Sequence, residues 1–207
     1  MKSYDGVVKS YAWQAPRYDR LWRHYNQATL WATVGVVPWE RLERVLDVGC
    51  GTGLLEEAAQ RSHPQTRMIG VDVSPAMLQQ ARGKLGAAER VSWVNALAEG
   101  LPFASASFDA VVCANSFHYF RQPLRVVVEF RRVLRPGGWL VVTDWCDDYL
   151  ACKLCNWVLR VVDPAHFRMY GLQQCAGLLT QTGFQIDRAR RFKIDWLWGL
   201  MTLRARA

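Results

Sequence analysis

The stretch "VLDVGCGTGLLEEAA", residues 45–59, places Gly49, Gly51 and Gly53 within five positions, between an apolar run and a segment with helical spacing. Glycine loses more conformational freedom on folding than any other residue, so such a cluster indicates backbone that turns sharply or passes close to a ligand. Residues 44–48 predict a strand and residues 53–62 a helix. A tight turn explains one glycine, whereas three at a strand-to-helix junction favour a ligand site.

The rest of the chain repeats this alternation of strand and helix. Further strands are predicted at 67–73, 90–96, 108–115 and 139–145, and helices at 17–36, 75–84 and 123–134, the last ended by "RPGG". After residue 145 a helical, aromatic segment is predicted to run to about 182, followed by two final strands in "GFQIDRAR" and "DWLWGLMTLRARA". Strands that alternate with helices predict an α/β fold with a parallel sheet covered by helices on both faces.

The composition is that of one globular domain. Of 207 residues, 51% are apolar and 21% charged. The first residues lack the apolar core of a secretory signal, which predicts a cytoplasmic protein, and no apolar run is long enough for a transmembrane segment. The net charge of +8 fits a solvated basic surface, but attraction to an anionic substrate, nucleic acid or a membrane surface stays open. The sequence does not indicate an oligomeric state.

The glycine spacing narrows the choice of ligand. A dinucleotide site needs G-x-G-x-x-G, but Leu54 occupies the last position, and no phosphate-binding loop is present. About twenty residues after the glycines, Asp72 ends the second strand, where an acidic side chain binds the hydroxyls of a ribose. A ribose site without a pyrophosphate loop predicts a nucleoside ligand.

Four motifs in order, "VLDVGCGTG", "GVDVSPAML", "LPFASASFDAVV" and "RRVLRPGGWLVVTDW", resemble the class I S-adenosylmethionine-dependent methyltransferases. The resemblance covers roughly residues 11–145 and is strongest to the small-molecule group that includes the ubiquinone/menaquinone methyltransferases. It implies a doubly wound, mostly parallel, seven-stranded Rossmann-like sheet with an antiparallel last strand. It also implies one domain over 1–207, divided into an N-terminal helical cap (1–38), a cofactor-binding core (39–145) and a substrate-capping segment with the final two strands (146–207).

The resemblance assigns a cofactor site for S-adenosylmethionine, with S-adenosylhomocysteine as the product. The residues that would hold the cofactor are Asp47, Gly49, Gly51, Gly53, Asp72, Val73, Met77, Leu97, Ala98, Asn115 and Ser116. Leu97 departs from the family, in which an aspartate at this position commonly binds the adenine amino group. The missing side-chain hydrogen bond puts affinity in question more than ligand identity.

The predicted reaction is direct displacement of the methyl group by a small, apolar or aromatic acceptor at O, C or N. Such a reaction needs alignment and a water-poor pocket, and a base only if the acceptor arrives protonated. His118, in "NSFHYF", is a candidate base or, alternatively, a structural residue of the pocket; Tyr18, with Tyr11, is a candidate contact to cofactor or substrate. Asp144 and His166 are weaker candidates on the substrate side.

Several alternatives stay open. The basic charge suggests the alternative of an RNA-directed methyltransferase. A nucleic-acid substrate is disfavoured because no [DN]-P-P-[YF] motif follows the fourth strand. The lack of a clear catalytic base suggests the alternative of a non-catalytic S-adenosylmethionine-binding protein. The C-terminal cysteines 146, 152, 155 and 175 suggest the alternative of a metalloid methylase. They lack the second closely spaced pair that a zinc site needs, so no bound metal is predicted. Tryptophans 145, 157, 196 and 198 belong to the segment expected to cap the substrate or to pack in the core.

Overall fold

The computed structural model describes residues 4–86, 89–162 and 166–207, and these residues form one seven-stranded sheet. The strands are β1 Arg44–Val48, β2 Arg67–Asp72, β3 Val91–Asn95, β4 Phe108–Ala114, β5 Leu134–Trp145, β6 Gln185–Lys193 and β7 Gly199–Arg206. Their order across the sheet is β3-β2-β1-β4-β5-β7-β6. β7 alone runs in the direction opposite to the other six strands, which confirms the predicted fold class.

Eight α-helices surround the sheet in the described part of the chain. They are α1 Asp5–Gln14, α2 Tyr18–Leu21, α3 Arg23–Val34, α4 Leu54–Ser62, α5 Pro75–Leu85, α6 Pro123–Val133, α7 Leu150–Val162 and α8 Leu172–Gln181. Residues 163–165 of the predicted C-terminal helical segment lie outside the described residues. The N-terminal helical region begins at Asp5, earlier than the sequence predicts.

The sheet buries apolar side chains on both faces. Leu46 and Val48 of β1 belong to a cluster with α6 and α8, while Val45, which precedes them, belongs to a second cluster with α3 and α4. Successive strand residues point to opposite faces, so an entirely apolar strand indicates helices on both sides. This is the physical reason that the continuous apolar runs predicted the layers correctly.

Two strand boundaries differ from the prediction. β5 begins at Leu134, so "RPGG" lies inside the strand and does not separate it from the helix. The Gly137 N–H donates to the carbonyl oxygen of Ala207 and the Ala207 N–H donates to that of Gly138, both at 2.9 Å. The C-terminus therefore holds this glycine pair in extended pairing. At the other boundary β7 starts only at Gly199, because the preceding residues form the turn from β6.

The crossover direction reverses between β1 and β4, since β2 and β3 continue on one side of β1 and β4 and β5 on the other. In open α/β sheets, ligands bind at the carboxyl ends of the strands at such a reversal. The glycine loop that follows β1 lies at this point. No helix in the described ranges is both long and apolar enough to cross a membrane.

Candidate active site

A large cavity opens at the carboxyl ends of β1, β2 and β4 and has an empty volume of about 1060 Å³, including its mouth. Most of the cofactor residues predicted from the sequence line it, namely Asp47, Gly49, Gly51, Asp72, Val73, Met77, Leu97, Ala98, Asn115 and Ser116. Tyr11 and Tyr18 line it as well, whereas Gly53 and His118 are not among the lining residues.

The three glycines of the loop have different surroundings. All three have positive φ, at +79° for Gly49, +54° for Gly51 and +78° for Gly53. A Cβ at Gly49 would overlap the side chain of Ser116, and one at Gly53 would lie 2.6 Å from the Trp93 ring, but one at Gly51 would meet no atom within 4 Å. Gly51 therefore exposes its backbone to the cavity. Gly53 packs against Trp93 and Ala81, and its contact with a ligand stays a prediction.

The loop is fixed to the end of β2. The N–H groups of Gly49 and Cys50 both donate to the carbonyl oxygen of Val71. The Asp72 carboxylate accepts from the N–H of Gly51 at 2.9 Å and of Ser74 at 2.8 Å. Burial nevertheless raises the pKa of Asp72, because these hydrogen bonds compensate only part of the lost hydration.

Asp47, at the end of β1, carries a buried carboxyl without a full set of partners. Its side chain is buried, and its Oδ1 accepts no hydrogen bond from the described residues. Burial, together with the nearby Asp72 carboxylate, raises the pKa of Asp47 to about 8. A buried acceptor that lacks a donor is costly, so this position fits a ligand group that is cationic or donates a hydrogen bond.

A second buried carboxyl, not singled out from the sequence, lies behind the loop. Glu56 on α4 is fully buried, and neither of its carboxylate oxygens has a hydrogen-bond partner among the described atoms. Burial and then the charge of Asp47 raise its pKa well above the usual range, so the group is held in its neutral form. Glu56 does not line the cavity, so we assign it a structural role behind the glycine loop.

The end of β4 is held by the N-terminal helices. Asn115 has φ +56°, which is uncommon for a residue with a side chain. Its Oδ1 accepts from the Tyr25 hydroxyl at 2.8 Å, and its Nδ2 donates to Thr29 Oγ1 at 2.8 Å. The Ser116 hydroxyl donates to the carbonyl oxygen of Val48 at 3.0 Å. Tyr25 and Thr29 are therefore site residues that sequence reasoning missed, since they lie about ninety positions from Asn115.

Helices α1, α2 and α3 cover the cavity and are called the N-terminal cover below. The Tyr11 hydroxyl donates a hydrogen bond of 2.7 Å to the hydroxyl of Tyr119, which follows β4 in the chain. Asp19 accepts from Thr52 at 2.6 Å and pairs with Lys84 at 2.6 Å, beside the glycine loop. These contacts close the cover over the loops that follow β1 and β4.

The loop after β3 meets the start of the cover. Leu97 lines the cavity and is 42% exposed, whereas Ala98 beside it is buried. Glu99 also lines the cavity and accepts a hydrogen bond from the Tyr4 hydroxyl at Oε1, while its buried Oε2 has no partner. The carboxylate nearest in sequence to the position where the family has an aspartate is therefore Glu99, two residues further on.

His118 lies beside the cavity, inside the protein. Its Nδ1 lies 2.7 Å from Asp144 Oδ1, and its backbone N–H donates to Asp144 Oδ2 at 2.9 Å. The ring stacks on Trp145 with centroids 4.5 Å apart, and Nε2 is buried without a hydrogen-bond partner. Because His118 is 2% exposed and does not line the cavity, its contact with an acceptor stays a prediction.

The C-terminal segment supplies none of the residues that line the cavity in the described part of the chain, so the covering element found there is N-terminal. Trp145 and Trp198 stack on each other at 4.9 Å in a core cluster with Tyr25, whereas Trp157 and Trp196 are exposed. His166 lies 2.9 Å from the Asn156 side chain. The tryptophans are thus placed by packing or exposed on the surface, away from the cavity lining.

The C-terminal cysteines are also separated from the cavity. Cys146, Cys152 and Cys175 are buried thiols, and Cys155 is partly buried. The Cys152 thiol contacts the backbone of Leu197 and Gly199, and burial raises its pKa. Within the described ranges, no group of three histidine, cysteine or acidic side chains is arranged to hold a metal ion.

Comparison with known proteins agrees with this geometry. Residues 46–142 match the family model described as a methyltransferase domain. The chain is 37% identical over 144 residues to a demethylmenaquinone methyltransferase of Deinococcus radiodurans, covering 67% of this chain and 60% of the relative. It is 31% identical over 149 residues to a malonyl-[acyl-carrier protein] O-methyltransferase of Legionella pneumophila, covering 69% of this chain and 50% of the relative. The chain thus spans less than two thirds of the length of either relative.

Among solved structures, the fold is similar to a Thermotoga maritima S-adenosylmethionine-dependent methyltransferase described as a possible histamine N-methyltransferase. The TM-score is 0.76 at 18% identity, over 95% of this chain and 97% of the other. At that identity the similarity supports the fold, while the family rests on the sequence matches. By those matches the chain belongs to the methyltransferases, with residues 46–142 matching their methyltransferase domain.

Proposed function

We propose that this protein binds S-adenosylmethionine in the cavity described above and transfers its methyl group to a small apolar or aromatic acceptor. The observation that carries the proposal is the convergence of Asp47, Asp72 and the open backbone of Gly51 on one cavity. Asp47 fits the amino-acid end of the cofactor, because its unpartnered oxygen needs a donor and an ammonium group supplies one. Asp72 fits the ribose hydroxyls.

When bound, the cofactor supplies a methyl group already activated on a sulfonium. The protein then needs only to align the acceptor with that methyl group and to exclude water from both. The N-terminal cover excludes water above the cavity. Burial raises the pKa of Tyr18 and of Tyr25, so both hydroxyls stay protonated and act as hydrogen-bond donors. We therefore assign Tyr18 a contact role, as a ring and a donor, in place of a base.

The acceptor class is inferred from the lining. Aliphatic and aromatic side chains from the cover and from the segment after β4 line the cavity, namely Val7, Tyr11, Leu30, Tyr119 and Phe120. Such a wall favours an apolar or aromatic acceptor. One relative is named for a demethylmenaquinone substrate, which is of this class, and another for a malonyl group on a carrier protein.

The test is calorimetric titration of the 207-residue chain with S-adenosylmethionine and S-adenosylhomocysteine, followed by transfer of a labelled methyl group to a panel of phenols, quinols and aliphatic acids. Binding of both ligands at one site, with transfer to a quinol or phenol, is the expected result. A folded protein that binds neither ligand would overturn the proposal. Binding without transfer to any acceptor would favour the non-catalytic alternative.

One specific prediction concerns the departure at Leu97. We expect Leu97→Asp to tighten S-adenosylhomocysteine binding about two- to tenfold, since one further hydrogen bond contributes roughly 0.5–1.5 kcal/mol. Leu97 is half-exposed, so the new carboxylate is not buried at high cost. Titration with S-adenosylhomocysteine and with methionine checks the prediction. Only the adenosine-containing ligand should gain; an equal gain for methionine would place Leu97 away from the adenine. Leu97→Val is the control and should change neither.

A second prediction concerns His118, which we propose as a positioning residue for the end of β5. His118→Asn retains a donor for Asp144, so we expect unchanged cofactor affinity, an unchanged pH profile and a turnover loss below about tenfold. A general base contributes roughly 10²–10⁴-fold. If the variant lost turnover by roughly 10²–10⁴-fold and added free imidazole restored it, His118 would instead be assigned the role of general base. His166→Gln serves as the matched control on the neighbouring ring.

The RNA-directed alternative rests on the exposed arginines of β6, the edge strand of the sheet. It predicts RNA binding that weakens steeply with added salt. Measuring the affinity for a mixed RNA at two salt concentrations decides this alternative, and absent or salt-independent binding removes it.

A further inference from the structure

Helix α7 has an apolar face that nothing in the described chain covers. Leu150, Leu154, Trp157 and Val161 follow one another at intervals of four, three and four residues, and so form one stripe along the helix. They are exposed by 84%, 64%, 69% and 76% respectively. A surface helix ordinarily presents polar side chains to water, so a continuous apolar stripe of this length marks an interaction surface.

The stripe is a second apolar face, in addition to the one that anchors the helix. Cys152 and Leu159, on the opposite side of α7, pack in the core cluster of Tyr25 and Trp145. The anchoring of α7 to the protein is therefore satisfied without the stripe. The exposed residues have no packing role that would explain their apolar character.

A second exposed tryptophan lies on a neighbouring element. The Cys152 thiol, on the anchoring side of α7, contacts the backbone of Leu197 in the turn between β6 and β7 and of Gly199 at the start of β7. Trp196 in the same turn is 80% exposed. Two tryptophans, Trp157 and Trp196, thus stand outward on adjoining elements, and tryptophan is the side chain enriched where protein meets the interface of a bilayer.

The charges carried by α7 itself are positive. α7 carries Lys153 and Arg160 and contains no acidic residue. At the start of the helix, Lys193 and Arg191 of β6 lie over the ring of Tyr149, and Arg191 also pairs with Asp148 at 3.2 Å. Asp148 is thereby neutralised. In the adjacent turn the Asp195 carboxylate accepts hydrogen bonds from the N–H groups of Leu197 and Trp198.

We infer that this face, the α7 stripe of Leu150, Leu154, Trp157 and Val161, docks on an anionic lipid surface. Apolar side chains with tryptophan at the centre and lysine and arginine at the rim are the composition of interfacial helices that bind anionic bilayers. A second copy of the chain is a poorer occupant, because a two-fold contact through this face would bring two positive rims together. The inference does not depend on the proposed methyl transfer.

The test is sedimentation of the chain with vesicles of phosphatidylcholine alone or with roughly one third phosphatidylglycerol. We expect binding to the anionic vesicles and at least about tenfold weaker binding to the neutral ones. The triple variant Leu154→Gln, Trp157→Gln, Val161→Gln should lower the affinity for anionic vesicles at least about thirtyfold. Lys153→Glu with Arg160→Glu should reduce the preference for phosphatidylglycerol.

The matched control is Trp13→Gln with Trp31→Gln, which removes two tryptophans that are exposed by 77% and 81% on the N-terminal cover. It should leave vesicle binding unchanged. Absence of sedimentation with anionic vesicles, equal binding to neutral ones, or equal loss in the control would each overturn the inference. Sedimentation velocity without lipid provides a further check, since a dimer that the triple variant dissociates would assign the face to self-association and overturn lipid docking.

Discussion

Asp47→Asn is expected to weaken S-adenosylmethionine binding by roughly 10- to 100-fold while making the ligand-free protein more stable. The carboxyl of Asp47 is buried at the cavity and has an oxygen without a donor. A hydrogen bond to a charged group contributes about 1.5–3 kcal/mol, and the variant loses that charge. In the ligand-free protein at pH 7 the buried carboxyl must take up a proton when the chain folds, and the amide removes that cost. Affinity and stability should therefore change in opposite directions.

The pKa of Asp47 gives this prediction a second readout. Since that pKa is about 8 in the ligand-free protein, the carboxyl is mostly protonated at pH 7. An ammonium group placed beside it favours the ionised form, so binding should release close to one proton per ligand. Calorimetry at pH 7 in two buffers of different ionisation enthalpy measures that proton. Asp47→Asn should release none, and Asp187→Asn, the same change on β6, should behave as the wild type.

The stability effect has a defined pH range. The pKa of Asp47 is about 8 in the folded protein and about 3.9 in the unfolded chain, so the folded state retains a proton that the unfolded state has lost. The contribution of Asp47 to stability therefore falls as pH rises from about 4 to about 8 and is constant above. The gain in melting temperature for Asp47→Asn should be largest at pH 8 and smallest near pH 5. A gain independent of pH would contradict the assignment.

Local pattern was sufficient to predict most of the sheet. The apolar runs of β1 and β4 fill both core clusters, and this double burial is what makes such strands recognisable without an alternating pattern. The positions of Asp47 and Asp72 were also predictable, because each ends a parallel strand and parallel strands deliver their ends to one edge. By contrast, the start of β5 depends on pairing between Gly137 and Ala207, which no local pattern encodes.

The cavity walls were harder to predict for the same reason. Tyr25 reaches Asn115 across 90 positions, and Tyr11 reaches Tyr119 across 108. The composition of the C-terminal segment fitted either an aromatic cap or core packing, and the stacking of Trp145 with Trp198 places these two rings in a core cluster. His118 follows β4 as expected, but its orientation is set by Asp144 and Trp145, which belong to another strand. Long-range packing thus decides which candidates reach the cavity.

Gly49→Ala is expected to destabilise the fold by about 2–5 kcal/mol, far more than the same change at Gly51. A left-handed backbone costs an alanine roughly 1–2 kcal/mol at either position, since both glycines have positive φ. At Gly49 the new methyl also overlaps Ser116, which is held by its bond to Val48, and overpacking adds about 1–3 kcal/mol. At Gly51 the methyl meets open space. Urea unfolding measures the difference between the two variants.

The two variants should also separate stability from binding. Gly51 lines the cavity and an added methyl there meets no protein atom, so we expect Gly51→Ala to lose ligand affinity while it keeps most of its stability. Ser116→Gly added to Gly49→Ala removes the overlapping side chain and should restore part of the lost stability; the restoration is incomplete because the hydrogen bond to Val48 is lost too. Equal destabilisation at Gly49 and Gly51, without rescue by Ser116→Gly, would show that backbone strain alone sets the cost. In that case the contact between the loop and the end of β4 would not be what requires glycine there.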